Sequence, residues 1–216
     1  LMVEAKKVVE HRGATTFWIN ALTIRTLSAP AAFLTVASRL CDMPETIFGG
    51  RTRRPLSVER AAQLRVRLGD LLKAPRIRRR EVSLIIPDLH QLFQLLCRET
   101  QEDIYLFLDD FHYLAMSDQP VFLDMIHSVT RDSPMWIKAA GIKHQARWFT
   151  DDPPTGLQTG HDATIINLDV TLEQPAKAKE FLSSILRSYT DEAKLKNVFG
   201  AISREAFDRL VLASGG

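Results

Sequence analysis

Asp103-Ile104-Tyr105-Leu106-Phe107-Leu108-Asp109-Asp110-Phe111-His112-Tyr113-Leu114 decides the fold. Ile104 to Leu108 are apolar or β-favouring without a polar break and run straight into two carboxylates. The pattern predicts a buried central strand that delivers acid to its C-terminal edge. That edge is where open α/β sheets keep their active sites. Two carboxylates at the tip of a dry strand are costly to desolvate unless positive charge meets them, and the usual partner is a hydrated magnesium ion carrying nucleotide phosphates. The plainer reading is a strand that stops in an ordinary polar turn, where Asp is common. The surrounding sequence has to decide.

Composition narrows the choice. The chain has 216 residues, 45% apolar and 25% charged, enough for one α/β domain with a small appendage. No apolar run approaches the roughly 18 residues that span a bilayer, and Leu1-Met2-Val3-Glu4-Ala5-Lys6-Lys7 lacks a signal peptide's order of charge then apolar core. The expectation is a cytoplasmic protein without membrane contact. Cys41 and Cys97 share no metal-binding spacing and read as buried free thiols. The net charge of +2 hides an asymmetry: Arg51 to Arg80 holds eleven Lys or Arg against two acids, so the rest of the chain is net acidic.

Along the chain, strands are expected at Thr15–Ile19, Ile104–Leu108, Met135–Ala140 and Ala163–Leu168, the last stopping at Asp169. Helical spacing separates the first three, and a region rich in Pro, Gly and Asp, from Thr150 to Asp162, precedes the last. Residues up to Arg12 read as the tail of a helix stopped by Gly13. Ser28 with Pro30 opens a helix, as does Asp118 with Pro120. Met43 to Leu56, with Pro44, Gly49, Gly50 and Pro55, reads as a loop, and Ser57 to Leu72 as a helix. Pro75 to Arg80 reads as an exposed face or a linker, and Pro87 as the start of the helix that leads into the acidic strand. After Asp169 only helices are expected, with stripes at Phe181, Leu182, Ile185, Leu186 and Tyr189, then at Ala206, Phe207, Leu210 and Val211. Strands alternating with helices imply a parallel sheet with right-handed crossovers.

Ile104 to Asp110 as a Walker B element, Ile165-Ile166-Asn167-Leu168-Asp169 as a last core strand and Phe181 to Leu186 as a lid helix together resemble the P-loop ATPases of the AAA+ and STAND classes, nearest the origin-recognition-like branch. Ala213-Ser214-Gly215-Gly216 is similar to the start of that family's Gly-Gly-x-Pro turn. The resemblance covers roughly Thr15 to Gly216. It implies a P-loop NTPase-type parallel sheet flanked by helices over residues 1–169 and a truncated helical lid over 170–216. It implies ATP and Mg2+ as cofactors, with Asp109 holding the metal through water and Asp110 orienting the attacking water. Where the family more often has Glu, Asp110 is shorter, which favours slow hydrolysis and switching. Lys143 and His144 are the nearest residues to the sensor 1 position, because the strand before them ends Ala139-Ala140-Gly141. Arg147 falls where an arginine finger would reach a neighbouring subunit, and an exposed loop arginine is the other reading. Self-association or a partner protein is therefore expected.

None of the ten glycines supplies Gly-x-x-x-x-Gly-Lys-Ser/Thr, and Gly49-Gly50-Arg51-Thr52 lacks the lysine and spacing of a phosphate cradle. The cradle is expected upstream of Leu1. The six histidines show no His-x-His or His-Glu-x-x-His spacing; Asp109, Asp110 and His112 are the only grouping that suggests a metal cluster. No Gly-x-Ser-x-Gly elbow occurs. The arginines of Arg51–Arg80 suit a phosphate backbone, so the competing function is a non-catalytic interaction or nucleic-acid-binding module that keeps the fold. The bland account is a helix face whose arginines pair with acids elsewhere.

Overall fold

A computed structural model describes residues 2–50, 52, 54–167, 175–194 and 202–213. It divides into two compact units, 1–164 and 165–216. The first is an α/β unit built on a parallel sheet of three strands, β1 (Thr15–Asn20), β2 (Ile104–Asp109) and β3 (Met135–Ala139), in the order β1-β2-β3. β2 is central because it is the most continuously apolar of the three, and Ile104, Leu106, Phe107 and Leu108 are all buried. The register pairs Asn20 with Asp109 and Leu108 with Ala139, so all three C-terminal ends meet at one edge.

The helices preceding and joining the strands are α1 (Met2–His11), α2 (Ala29–Leu40), α3 (Met43–Phe48), α4 (Leu56–Lys73), α5 (Arg79–Thr100) and α6 (Gln119–Thr130). One sheet face, carrying Ile19, Ile104, Leu106 and Leu108, joins a core with Phe33 of α2, Phe93 of α5 and Phe122 of α6. Each of those phenylalanines contributes about 1.5–3 kcal/mol by leaving water. Alternate residues, Trp18, Tyr105, Phe107, Trp136 and Lys138, share the other face. There Trp18 stacks on Phe107 at 5.9 Å and Lys138 lies over the Tyr105 ring at 5.8 Å. Among the described residues that face is partly uncovered, with Trp136 51% exposed.

Three expectations are corrected. Pro44 lies in the first turn of α3, where a missing N–H is harmless, so Met43 to Phe48 is helix and not loop. Pro87 does not start a helix but sits inside α5. An interior proline costs about 3 kcal/mol. Val82 and Ile85, 0% and 1% exposed, bind the preceding two turns to the core and offset that cost. The strand expected at Ala163–Leu168 does not form: Ala163 makes only an isolated bridge to Thr159, and 164–167 have no regular structure. Ile165 and Ile166 are exposed, with no ladder to join, and β propensity without a partner edge is not a strand. Leu168 and Asp169 lie outside the described residues, as do Arg51, Arg53 and Ser214-Gly215-Gly216. Between β3 and Ala163 a short hairpin pairs β4 (Phe149–Asp151) with β5 (Pro154–Gly156). Gly156 has φ +104, and a Cβ there would meet the Trp148 carbonyl oxygen at 2.3 Å.

In the second unit Leu182 and Leu186 of α7 (Pro175–Glu192) pack on Phe207 and Val211 of α8 (Arg204–Ala213), and Lys179 pairs with Asp208 at 2.6 Å. Phe181, Tyr189 and Leu210 of the expected stripes face solvent. Among the described residues no helix is long and apolar enough to cross a membrane.

The start of α4 depends on a residue of another helix. Pro55 has no side chain that can cap, and the Glu99 carboxylate of α5 accepts instead from the N–H of Leu56 at 3.0 Å and of Ser57 at 3.3 and 3.4 Å. A negative group on a helix N-terminus satisfies orphan donors and the helix dipole together. Glu99→Ala should therefore lower stability by about 0.5–2 kcal/mol, read by urea denaturation, with an unchanged slope.

Candidate functional site

The acid pair stands at the C-terminal edge of the sheet. Asp109 ends β2 and continues the row of Tyr105 and Phe107. Asp110 then takes a left-handed conformation, φ 57 and ψ 32, which turns the chain sharply out of the strand into a 3-10 turn at Phe111–Tyr113. Asp and Asn tolerate that region better than other residues with a Cβ. The turn is fastened on three sides. The Asp110 N–H donates to Asp109 Oδ1 at 3.0 Å, the Phe111 N–H donates to the Ala140 carbonyl at 2.9 Å, and the Ala140 N–H donates to the Leu108 carbonyl at 2.9 Å.

Asn20, the residue directly after the expected strand Thr15–Ile19, is the main addition that the fold makes. Its Nδ2 donates to Asp110 Oδ2 at 3.1 Å, and its Oδ1 accepts the Leu22 N–H at 2.8 Å. The amide is thus held from one side and holds the carboxylate from the other. Asp109 Oδ2 has no hydrogen-bond donor among the described residues.

Among the described residues no group of three or more His, Cys, Asp or Glu could hold a metal by itself, so His112 does not complete a cluster with the acid pair. That donor set fits magnesium, which takes one or two carboxylates and keeps water and phosphate for its other positions. The His112 ring lies against Tyr113 at 4.5 Å, and its Nδ1 is buried without a hydrogen-bond partner.

Lys143, His144 and Arg147 lie on one strap after β3. Lys143 and His144 occupy a 3-10 turn, Lys143–Gln145, and Arg147 follows; all three side chains are exposed. Neither Lys143, His144 nor Arg147 forms an ion pair with Asp109 or Asp110. The strap itself is anchored to the acidic turn: Trp148 stacks on Phe111 at 5.0 Å, and Gly141 faces the Ala146 and Phe111 Cβ atoms closely. Gln119, also unmarked in the sequence, ties both segments together, and no spacing could have found it.

Among the described residues, five of the eleven basic residues of the segment pair with a carboxylate, Lys73 with Asp70 among them. Arg65 pairs with Asp42 at 2.6 Å, Arg67 with Asp88 at 2.5 Å, Arg54 with Glu45 at 3.5 Å and Arg79 with Asp124 at 3.8 Å, while Arg60 bonds Gln91. Arg76, Arg78 and Arg80, at the turn between α4 and α5, are exposed and have no carboxylate partner among the described residues. Neither thiol is poised for chemistry: burial, with the Asp42 charge beside it, pushes Cys41 up to about 12, and burial with Asp103 pushes Cys97 up to about 11.

The chain matches no protein-family model, no curated protein and no solved structure.

Two outcomes follow. Asp110→Ala should be less stable than Asp110→Asn by about 1 kcal/mol in thermal unfolding, because alanine meets the left-handed backbone with a steric cost that Asn escapes; equal stability would show that the turn opens. Iodoacetamide at pH 8 should leave Cys41 and Cys97 unmodified in the folded protein and label both in denaturant, by mass spectrometry, since only the thiolate reacts and burial suppresses it.

Proposed function

We propose that this chain is the nucleotide-binding and hydrolysis module of an AAA+/STAND-type ATPase, acting as an ATP-driven conformational switch. The observation that carries the reading is the Asp109-Asp110 pair at the tip of the central strand of a parallel sheet, its second carboxylate held by an amide from the neighbouring strand. A merely polar turn has no need of that restraint. In this reading Asp109 would hold Mg2+, and Asp110 would orient the attacking water and accept its proton. When bound, the metal supplies electrostatic stabilisation of charge on the transferred phosphoryl group. Asn20 occupies one oxygen of Asp110, restrains its rotation and leaves the other oxygen as the acceptor. Lys143 provides positive charge and His144 a hydrogen-bonding ring near the phosphates, and Arg147 reaches the nucleotide of a neighbouring subunit, so turnover depends on self-association.

The reading requires a phosphate cradle from another segment. Among the described residues β3 pairs only with β2, so its outer edge and the adjoining aromatic face offer room for a further strand and helix. A second reading, a nucleic-acid-binding module, draws on Arg76, Arg78 and Arg80, whose charges are left uncompensated at one turn.

In the intact protein Asp110→Asn should keep MgATP binding while hydrolysis falls by roughly two to four orders of magnitude, the usual worth of a positioned base. Unchanged turnover removes Asp110 from its role. If instead MgATP does not bind, and duplex DNA binds with an affinity that falls steeply with salt and is lost when Arg76, Arg78 and Arg80 become Gln, the second reading replaces the first.

A further inference from the structure

Gln119 is a polar side chain in the middle of the apolar packing, 0% exposed, at the first residue of α6. Burying an amide is costly unless its hydrogen bonds are made, so each of its contacts has a purpose. Its Nε2 donates to the Leu114 carbonyl at 2.9 Å and to the Gln145 carbonyl at 3.0 Å, and its Oε1 accepts the Arg147 N–H at 2.6 Å. Two carbonyls demand the NH2 group and one N–H demands the oxygen, so only one orientation of the amide satisfies all three. Leu114 closes the turn that begins at Asp110; Gln145 and Arg147 belong to the strap that carries the cations. One side chain therefore spans the acidic turn and the cationic strap at a point where no regular secondary structure joins them.

We propose that Gln119 is a positioning residue for the ATPase reaction: it sets the backbone of Arg147, and with it the Lys143–Arg147 strap, at a fixed distance from the Asp109-Asp110 turn. This rests on the reading given under Proposed function. The other anchors are the Phe111–Trp148 stack, the Gly141–Ala146 approach and backbone bonds at the two ends of the strap, from the Phe111 N–H to the Ala140 carbonyl and from the Leu157 N–H to the Trp148 carbonyl, and none of these fixes which way the Arg147 N–H points. Gln119 supplies that direction. Arg147 is directed outward, exposed, as a contact to a neighbouring subunit's nucleotide demands. A small misplacement of such a cation is expensive to catalysis and nearly silent in nucleotide binding.

Gln119→Met, of similar length but without hydrogen bonding, tests this in the intact protein beside Arg147→Ala and the double variant. The expected result is MgATP affinity within about threefold of wild type and kcat lowered about tenfold or more. The Gln119 effect should vanish in the Arg147→Ala background, because a positioning residue has nothing left to position. A Gln119→Met effect that persists in full without Arg147 overturns the proposal and leaves the ATPase reading standing. Wild-type protein that neither binds nor hydrolyses MgATP overturns both. Should Gln119→Met fail to fold, amide hydrogen exchange in the wild-type protein decides: the Arg147 N–H is expected to exchange far more slowly than those of Lys143 and His144, and equal rates overturn the proposal.

Discussion

The parallel pairing of β1 with β2, in the register that sets Asn20 opposite Asp109, is the constraint on which the rest of the molecule depends. A slip by one residue would turn every side chain of β1 to the other face and carry Asn20 away from the acids. The register is held by burial. Ile19 packs into the main core with Leu106 and Leu108 while Trp18 stacks on Phe107 across the opposite face, so both faces of the pair resist slippage. Hydrophobic packing well below the edge thus decides where a polar amide stands at the edge.

From that edge the chain repeatedly uses backbone groups as fasteners. Ala140 accepts from Phe111 and donates to Leu108, which stitches the acidic turn to the start of the strap before any side chain takes part. Gln119 then closes the far side, and the Phe111–Trp148 stack packs between them. Glu99 performs the same service for α4, standing in for a cap that Pro55 cannot provide.

The arginine-rich segment shows how a charge count changes when the chain folds. Eleven basic residues against two acids over Arg51–Arg80 read as a single positive stretch. The helices bring Asp42, Glu45, Asp88 and Asp124 against several of them, while among the described residues Arg76, Arg78 and Arg80 form no ion pair and Arg60 bonds only the neutral Gln91. Exposed pairs of this kind add little stability each, but they remove the local field that a long basic run suggests.

The sequence by itself determined the strands β1, β2 and β3, their alternation with helices and the position of the two acids, because an uninterrupted apolar run and a change of hydrophobic period are local signals. It missed α3, reading Met43 to Leu56 as loop although Pro44 lies in a first turn, and it started α5 at Pro87 although Val82 and Ile85, buried in the core, carry that helix back to Arg79. It also placed a strand at Ala163–Leu168 from propensity alone, and 164–167 form none, since a strand exists only with a partner edge. Only the tertiary structure decided that Asn20 holds Asp110 and that Gln119 spans two loops: residues ninety positions apart in one case, and a buried amide beside a helix cap in the other, become neighbours through strand order and packing, which no short-range pattern encodes.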